Sequence, residues 1–172
     1  MPSLADPNFF RSVVLLCAHS EEEGAFGLVI NRTIDIPVSA VCVEAEVDWE
    51  GGDEVLVHDG GPVDKGRGWL LHCDSETFMG SQPVSDGVSV TTAQEGLEAY
   101  GRDSGGRYRL MLGYAGWAPG QLDQEIAMGA WLIAPVSAAL VFDTPDDELW
   151  GAALASVGVS PATLVESSGQ LN

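Results

Sequence analysis

Residues 112–126 read LGYAGWAPGQLDQEI. The stretch starts apolar and ends polar, with Gly113, Gly116 and Gly120 set around Tyr114 and Trp117. An aromatic pair flanked by glycines at a strand end implies close backbone approach or an aromatic-walled pocket. The run Tyr108–Tyr114 before it has strand texture. The residues after it predict a helix over 121–130, with Leu122 and Ile126 on one face and Gln121 and Glu125 one turn apart.

Strand signals dominate the chain upstream of this junction. Ser12–Ala18 (SVVLLCA) and Ala25–Asn31 (AFGLVIN) read as a hairpin across the polar Ser20–Gly24, and their all-apolar texture predicts burial on both faces. Val55–His58, Gly68–Cys73 and Val84–Thr92 are further strands. The last alternates after its Asp-Gly turn, which predicts one wet face. Short helices are expected at Pro37–Glu44 and Thr92–Tyr100. A longer one is expected at Pro145–Val157, with Thr144 as cap, Pro145 in its first position and Leu149, Ala153 and Leu154 facing inward. Strands and helices do not alternate regularly, so the fold class is α+β with a mostly antiparallel sheet.

With 172 residues the chain is expected to form one domain over 1–172, with residues 160–172 as a frayed tail. Asp and Glu number 26 against 7 Lys and Arg, a net charge of −19, and Lys65 is the single lysine. Such a surface repels phosphate backbones and anionic lipid, so direct nucleic-acid and membrane partners are not expected. It fits a soluble protein of a salty or lysine-poor proteome, or an acidic docking surface for a basic partner. Cys17, Cys42 and Cys73 have no framework spacing, and no signal peptide or membrane-length apolar run is visible. The expected location is the cytoplasm, with free thiols.

Two more segments stand out. MPSLADPNFFRSV at 1–13 carries an Asp6-Pro7 turn signal and then Arg11 at the edge of an apolar strand, where arginine takes a carboxylate partner or an anion. GGPVDKGRGWLLH at 60–72 carries Gly60-Gly61-Pro62, a sharp reversal whose bare N–H groups suit a tight turn or an anion. Arg67, followed by Gly68, lies close enough in sequence to make this the best anion-site candidate. Trp117 is read either as a core corner or as a ligand wall.

Catalytic signals are sparse. Cys17 and His19 project to the same side of a strand, but neighbours two apart lie ~6–7 Å from one another along it, too far for an unbent dyad. His72 and Cys73 add donors without a zinc-like spacing, so no metal or cofactor is expected. Cys17 is expected to be inert, and Cys73, beside Asp74, to be more exposed but with a disfavoured thiolate.

In order along the chain, MPSLADPNFFRSVV, Cys17 and His19, Gly24–Gly27 with Asn31-Arg32, GGPV at 60–63, the Arg67–His72 stretch and LGYAGWAPGQLDQE resemble the motifs of the YqgE/AlgH family. The resemblance spans almost the whole chain. Ala18, Thr33 and Gly129 stand where members usually carry Glu, Pro and Asn. It implies a single domain with a curved, bifurcated sheet forming a barrel-like core flanked by helices, and a first strand that members have before the MP and that is missing ahead of Met1. Some members are described as transcriptional regulators on genetic grounds. The resulting expectation is a binding or regulatory module without catalytic activity. Its partner would be a protein or a small anionic ligand. Its surface would draw on Arg11, His19, Asn31, Gly60, Gly61, Pro62, Arg67, Gly68, His72, Tyr114, Gly116, Trp117, Gln121 and Glu125. The rivals are an enzyme or redox-sensitive protein using Cys17, His19 or His72, and a regulator that acts on transcription through a protein partner.

Overall fold

A computed structural model describes residues 9–73, 75 and 77–160. Eight strands form one sheet: β1 (Val14–Ser20), β2 (Gly24–Val29), β3 (Thr33–Pro37), β4 (Leu56–Asp59), β5 (Val63–His72), β6 (Gln82–Ser85), β7 (Val88–Thr91) and β8 (Tyr108–Trp117). Helices α1 (Val38–Glu44), α2 (Gln94–Arg102), α3 (Gln121–Ala127) and α4 (Asp146–Ser156) flank it, with a π-helical turn at Ala139–Asp143. The main path runs β1-β2-β8-β5-β7-β6, and β6 returns against β1, so the sheet is a nearly closed, barrel-like structure. The expected frayed tail, 160–172, lies outside the described residues apart from Ser160, and the expectation about a first strand before Met1 also falls outside them.

The sheet forks at β8. Along one edge β8 pairs only with β5. Along the other, Met111 and Leu112 pair in parallel with β4, while Ala115, Gly116 and Trp117 pair antiparallel with β2. Gly60 fills the fork: its N–H donates to Leu112 O (2.9 Å), and its carbonyl accepts from Val29 N–H (2.8 Å). Gly113 sits at the fork with φ +76°, a left-handed conformation that glycine adopts at little cost.

Alternation sorts the side chains into separate cores. Leu71 and Met111 join Leu15, Leu28, Val88, Val141 and Leu149 on one face. Their neighbours Leu70 and Leu110 pack on the other face with Val38, Cys42, Val57 and Tyr100 beneath α1 and α2. Ala25, Ala115, Trp117 and Leu122 form a third cluster beneath α3.

Two burial expectations are reversed. β1 is an edge strand, with Leu16 41% exposed and Ala18–Ser20 open, rather than a strand buried on both faces. The run Val84–Thr92 breaks at Gly87 (φ +78°) into β6 and β7, and all four residues of β7 are buried because it lies between β5 and β6. α2 begins at Gln94 rather than Thr92, and α4 at Asp146 with Pro145 as its N-cap residue. The Thr144 hydroxyl donates back to Ala139 O (3.3 Å) instead of capping α4. α3 ends at Ala127, short of 130. Among the described residues no helix is long and apolar enough to cross a membrane.

Candidate functional site

The Gly60-Gly61-Pro62 reversal packs directly on β8. A Cβ on Gly61 would stand 2.3 Å from Tyr114 C. Its N–H does meet an anion, but one of the protein's own: Asp59 Oδ1 accepts it at 3.3 Å, and the same carboxylate pairs with Lys65 at 2.9 and 3.0 Å. The cation and the bare N–H of this turn are both engaged by Asp59.

Arg67 is placed differently. Its guanidinium lies 4.5 Å from the centroid of the Trp69 ring. Trp69 meets Phe26 at 4.6 Å and Tyr114 at 6.0 Å, and Phe26 meets Tyr114 at 5.4 Å. The three rings come from β5, β2 and β8, adjacent strands at the fork, and each is half-buried. Val63, opposite Tyr114 in the β5–β8 register, is 38% exposed, and a side chain at Gly68 would meet open space. Gly116, exposed, lies against the Tyr114 ring. Arg67 has no carboxylate partner among the described residues. The result is a cation lying on a partly open aromatic face.

The Trp117 corner is a closed hydrogen-bonded unit. Glu125 Oε2 accepts the indole N–H groups of Trp117 (3.0 Å) and Trp131 (2.7 Å), and Oε1 accepts the Gln121 amide at 2.9 Å. Gln121 accepts Ala118 N–H in turn (3.0 Å). Phe9 stacks on Trp117 at 6.2 Å and meets Trp131 edge-on at 5.4 Å, so the described end of the 1–13 segment joins the 112–126 segment here. Burial works to raise the Glu125 pKa, but the hydrogen bonds from Trp131, Gln121 and Trp117 outweigh it and hold the carboxyl below its ordinary value. At the edge of the unit the His19 ring lies 3.1 Å from Asp123.

The remaining sequence-predicted residues are spread out. Asn31 clamps the end of the 1–13 segment, accepting Val13 N–H (2.7 Å) and donating to Arg11 O (3.0 Å). Arg11 itself stacks on Phe10 and Trp150 at 5.4 and 5.2 Å. His72 is fully buried. Its Nδ1 faces the Cys73 carbonyl (3.0 Å) and so carries the proton, and Nε2 accepts the Ser81 hydroxyl (2.9 Å). Burial pushes the Cys17 thiol up to about 12. The Cys73 thiol moves the other way, held below its ordinary value by the Ser75 backbone N–H and assisted by Arg107, against the expectation of a disfavoured thiolate. Asp74, on which that expectation rested, lies outside the described residues.

Sequence reading missed Phe26 and Trp69 in the aromatic face, since a single strand does not reveal its lateral neighbours. It also missed a buried cluster of His58, Arg109 and Asp146. The one available signal was Arg109, a charge inside the otherwise apolar run RLML.

A forked, nearly closed α+β barrel with an aromatic face at the fork defines the structural class. The AlgH-like family model, DUF179, matches residues 1–162. A UPF0301 protein of Thioalkalivibrio sulfidiphilus is 43% identical over 171 residues, covering 98% of this chain and 91% of the relative. One from Photobacterium profundum is 42% identical, covering 95% and 91%. The solution structure of AlgH from Pseudomonas aeruginosa superimposes with a TM-score of 0.77 at 35% identity, over 96% of this chain and 88% of that one. A crystal structure of a Corynebacterium diphtheriae protein gives 0.72 at 25% identity, over 97% and 86%. The chain belongs to the AlgH-like family.

Proposed function

We propose that this protein is a cytoplasmic, non-enzymatic binding module whose working face is the Phe26–Trp69–Tyr114 cluster capped by Arg67. The ligand is a small anion with an apolar body: the body lies on the rings, and its carboxylate or phosphate takes the guanidinium N–H groups. One observation carries this reading. In a chain of net charge −19, Arg67 lies on Trp69 without a carboxylate partner among the described residues. A stacked, planar guanidinium keeps its in-plane donors free for such an anion.

The Cys17, His19 and His72 alternatives gain less support. The Cys17 thiol is held protonated, His72 has partners on both nitrogens, and His19 faces Asp123. A regulator acting through a protein partner would use the same face, with an acidic and aromatic side chain of the partner in the ligand's place. Direct contact with nucleic acid or membrane is disfavoured by the charge.

The test pairs two dyes on the native protein. Anilinonaphthalene sulfonate, which has both an anion and an apolar body, should bind saturably and quench Trp69. Phenylnaphthylamine, which lacks the anion, should bind about tenfold more weakly, the loss of one charge-assisted contact. Equal binding of both dyes would remove the role of Arg67 and with it the proposal.

A further inference from the structure

The start of β1, the 131–136 stretch, the π-helical turn and α4 surround a half-open cavity of about 130 Å³, apart from the aromatic face. Leu15, Ile30, Val141 and Leu154 form its buried part, and the exposed Leu132, Val136 and Val157 form its mouth. No charged residue lines it among the described residues. The Ser12 hydroxyl donates to Phe9 O (2.9 Å), and the Trp131 indole N–H donates to Glu125 (2.7 Å). An apolar cavity of ~150 Å³ stays dry and holds one benzene ring. This cavity therefore suits a single six-membered ring or a chain of about six carbons, and is too small for fused rings.

A cation stands beside it. Arg11 directly precedes Ser12, a lining residue, and its exposed side chain carries the guanidinium to 5.2 Å from the ring centroid of Trp150, another lining residue. Phe10 meets the same guanidinium at 5.4 Å. Stacking on rings leaves the in-plane N–H groups open to a carboxylate. The chain has 26 acidic side chains, yet none pairs with Arg11 among the described residues. The sequence placed either a carboxylate partner or an anion at Arg11, and the fold supplies no such partner. A charge-free apolar pocket next to an unmatched cation is complementary to one kind of ligand, an anion on a compact apolar body.

We propose that this cavity binds a small monocarboxylate with a single-ring or short-chain body, the body inside and the carboxylate on the Arg11 guanidinium. The volume sets the size of the body, and Arg11 selects the acid over its uncharged analogues. The apolar mouth gives the body a path inward. The site goes beyond the Arg67 reading and stands or falls separately from it: the Arg67 face is open, whereas this cavity admits one ring.

The test uses three probes on the full chain at neutral pH: benzoate, its uncharged isostere benzamide, and 2-naphthoate, which is one ring too large. In methyl NMR spectra, benzoate should shift the Leu154 and Val157 signals saturably, with about millimolar affinity. Benzamide should bind about tenfold more weakly, the loss of one charge-assisted contact. 2-Naphthoate should leave these signals in place. Arg11→Gln, at an exposed position where folding is spared, should weaken benzoate about tenfold and leave benzamide unchanged. These methyl groups line the cavity and do not report on the Arg67 face, so the two readings fail separately. Unmoved Leu154 and Val157 signals, equal affinities for benzoate and benzamide, 2-naphthoate shifts as large as those of benzoate, or benzoate binding indifferent to Arg11→Gln would each overturn the proposal. So would shifts of the same signals with protein concentration alone, the mark of a second copy seated on the mouth.

Discussion

Gly60 and Gly113 touch backbone to backbone: a Cβ on Gly60 would stand 2.3 Å from the Gly113 carbonyl oxygen, and one on Gly113 would stand 2.5 Å from Gly61 O. This contact closes the fork between β2 and β4 and sets Tyr114, the next residue, into the aromatic face. Gly60→Ala should therefore cost about 2–4 kcal/mol in urea unfolding, because backbone atoms cannot rotate out of the way. Gly66→Ala, which meets nothing within 4 Å, should be neutral or up to ~1 kcal/mol stabilising. Similar costs at the two sites would contradict this account of the fork.

The Glu125 unit predicts a pH dependence. Its folded pKa lies below the ordinary carboxyl value, so its stabilisation is full above the unfolded pKa and is lost as pH falls through the folded one. Glu125→Gln should cost about 1–2 kcal/mol at neutral pH, allowing for partial solvent exposure. The gap between wild type and variant should narrow from about pH 5 downward. Melting curves across that range check it, and a gap that widens with acid would be the wrong sign.

The thiols should differ in reactivity. Cys17, pushed up to about 12 by burial, is held as the thiol, whereas the Cys73 thiolate is favoured by the Ser75 N–H and Arg107. Native-state alkylation at neutral pH with mass mapping should label Cys73 first and Cys17 slowly. Faster labelling of Cys17 would revive the thiol-based rival.

With 26 acidic against 7 basic residues, self-repulsion should be relieved by salt. The melting temperature should rise from low salt to ~1 M NaCl, and duplex DNA should not be retained at ~0.15 M salt. A flat or falling melting temperature would show that the charges are already locally compensated.

Local pattern carried the element types, and the family motifs carried the architecture. Neither carried lateral order. SVVLLCA looks buried on both faces yet forms an edge, and VSVT looks half-wet yet is enclosed, because burial of a strand depends on which strands pair beside it. Gln121 and Glu125 were legible as a one-turn pair, but the two indoles that Glu125 receives come from Trp117 and Trp131 and required the folded corner. His58 and Asp146 are 88 residues apart, and no spacing rule joins them. Gly60-Gly61 read as a turn or an anion site. The closeness of Gly113 that requires those glycines exists only once β4 and β8 pair side by side.

The central claim is that Arg67 on Trp69 is an anion-receiving group. Calorimetric titration of anilinonaphthalene sulfonate into wild type, Arg67→Ala and Arg67→Lys tests it most directly, since Arg67 is exposed and its removal should leave the fold intact. The account predicts about tenfold weaker binding for Arg67→Ala and partial recovery for Arg67→Lys, which restores the charge without the planar stack. Affinities that agree across the three proteins would contradict it.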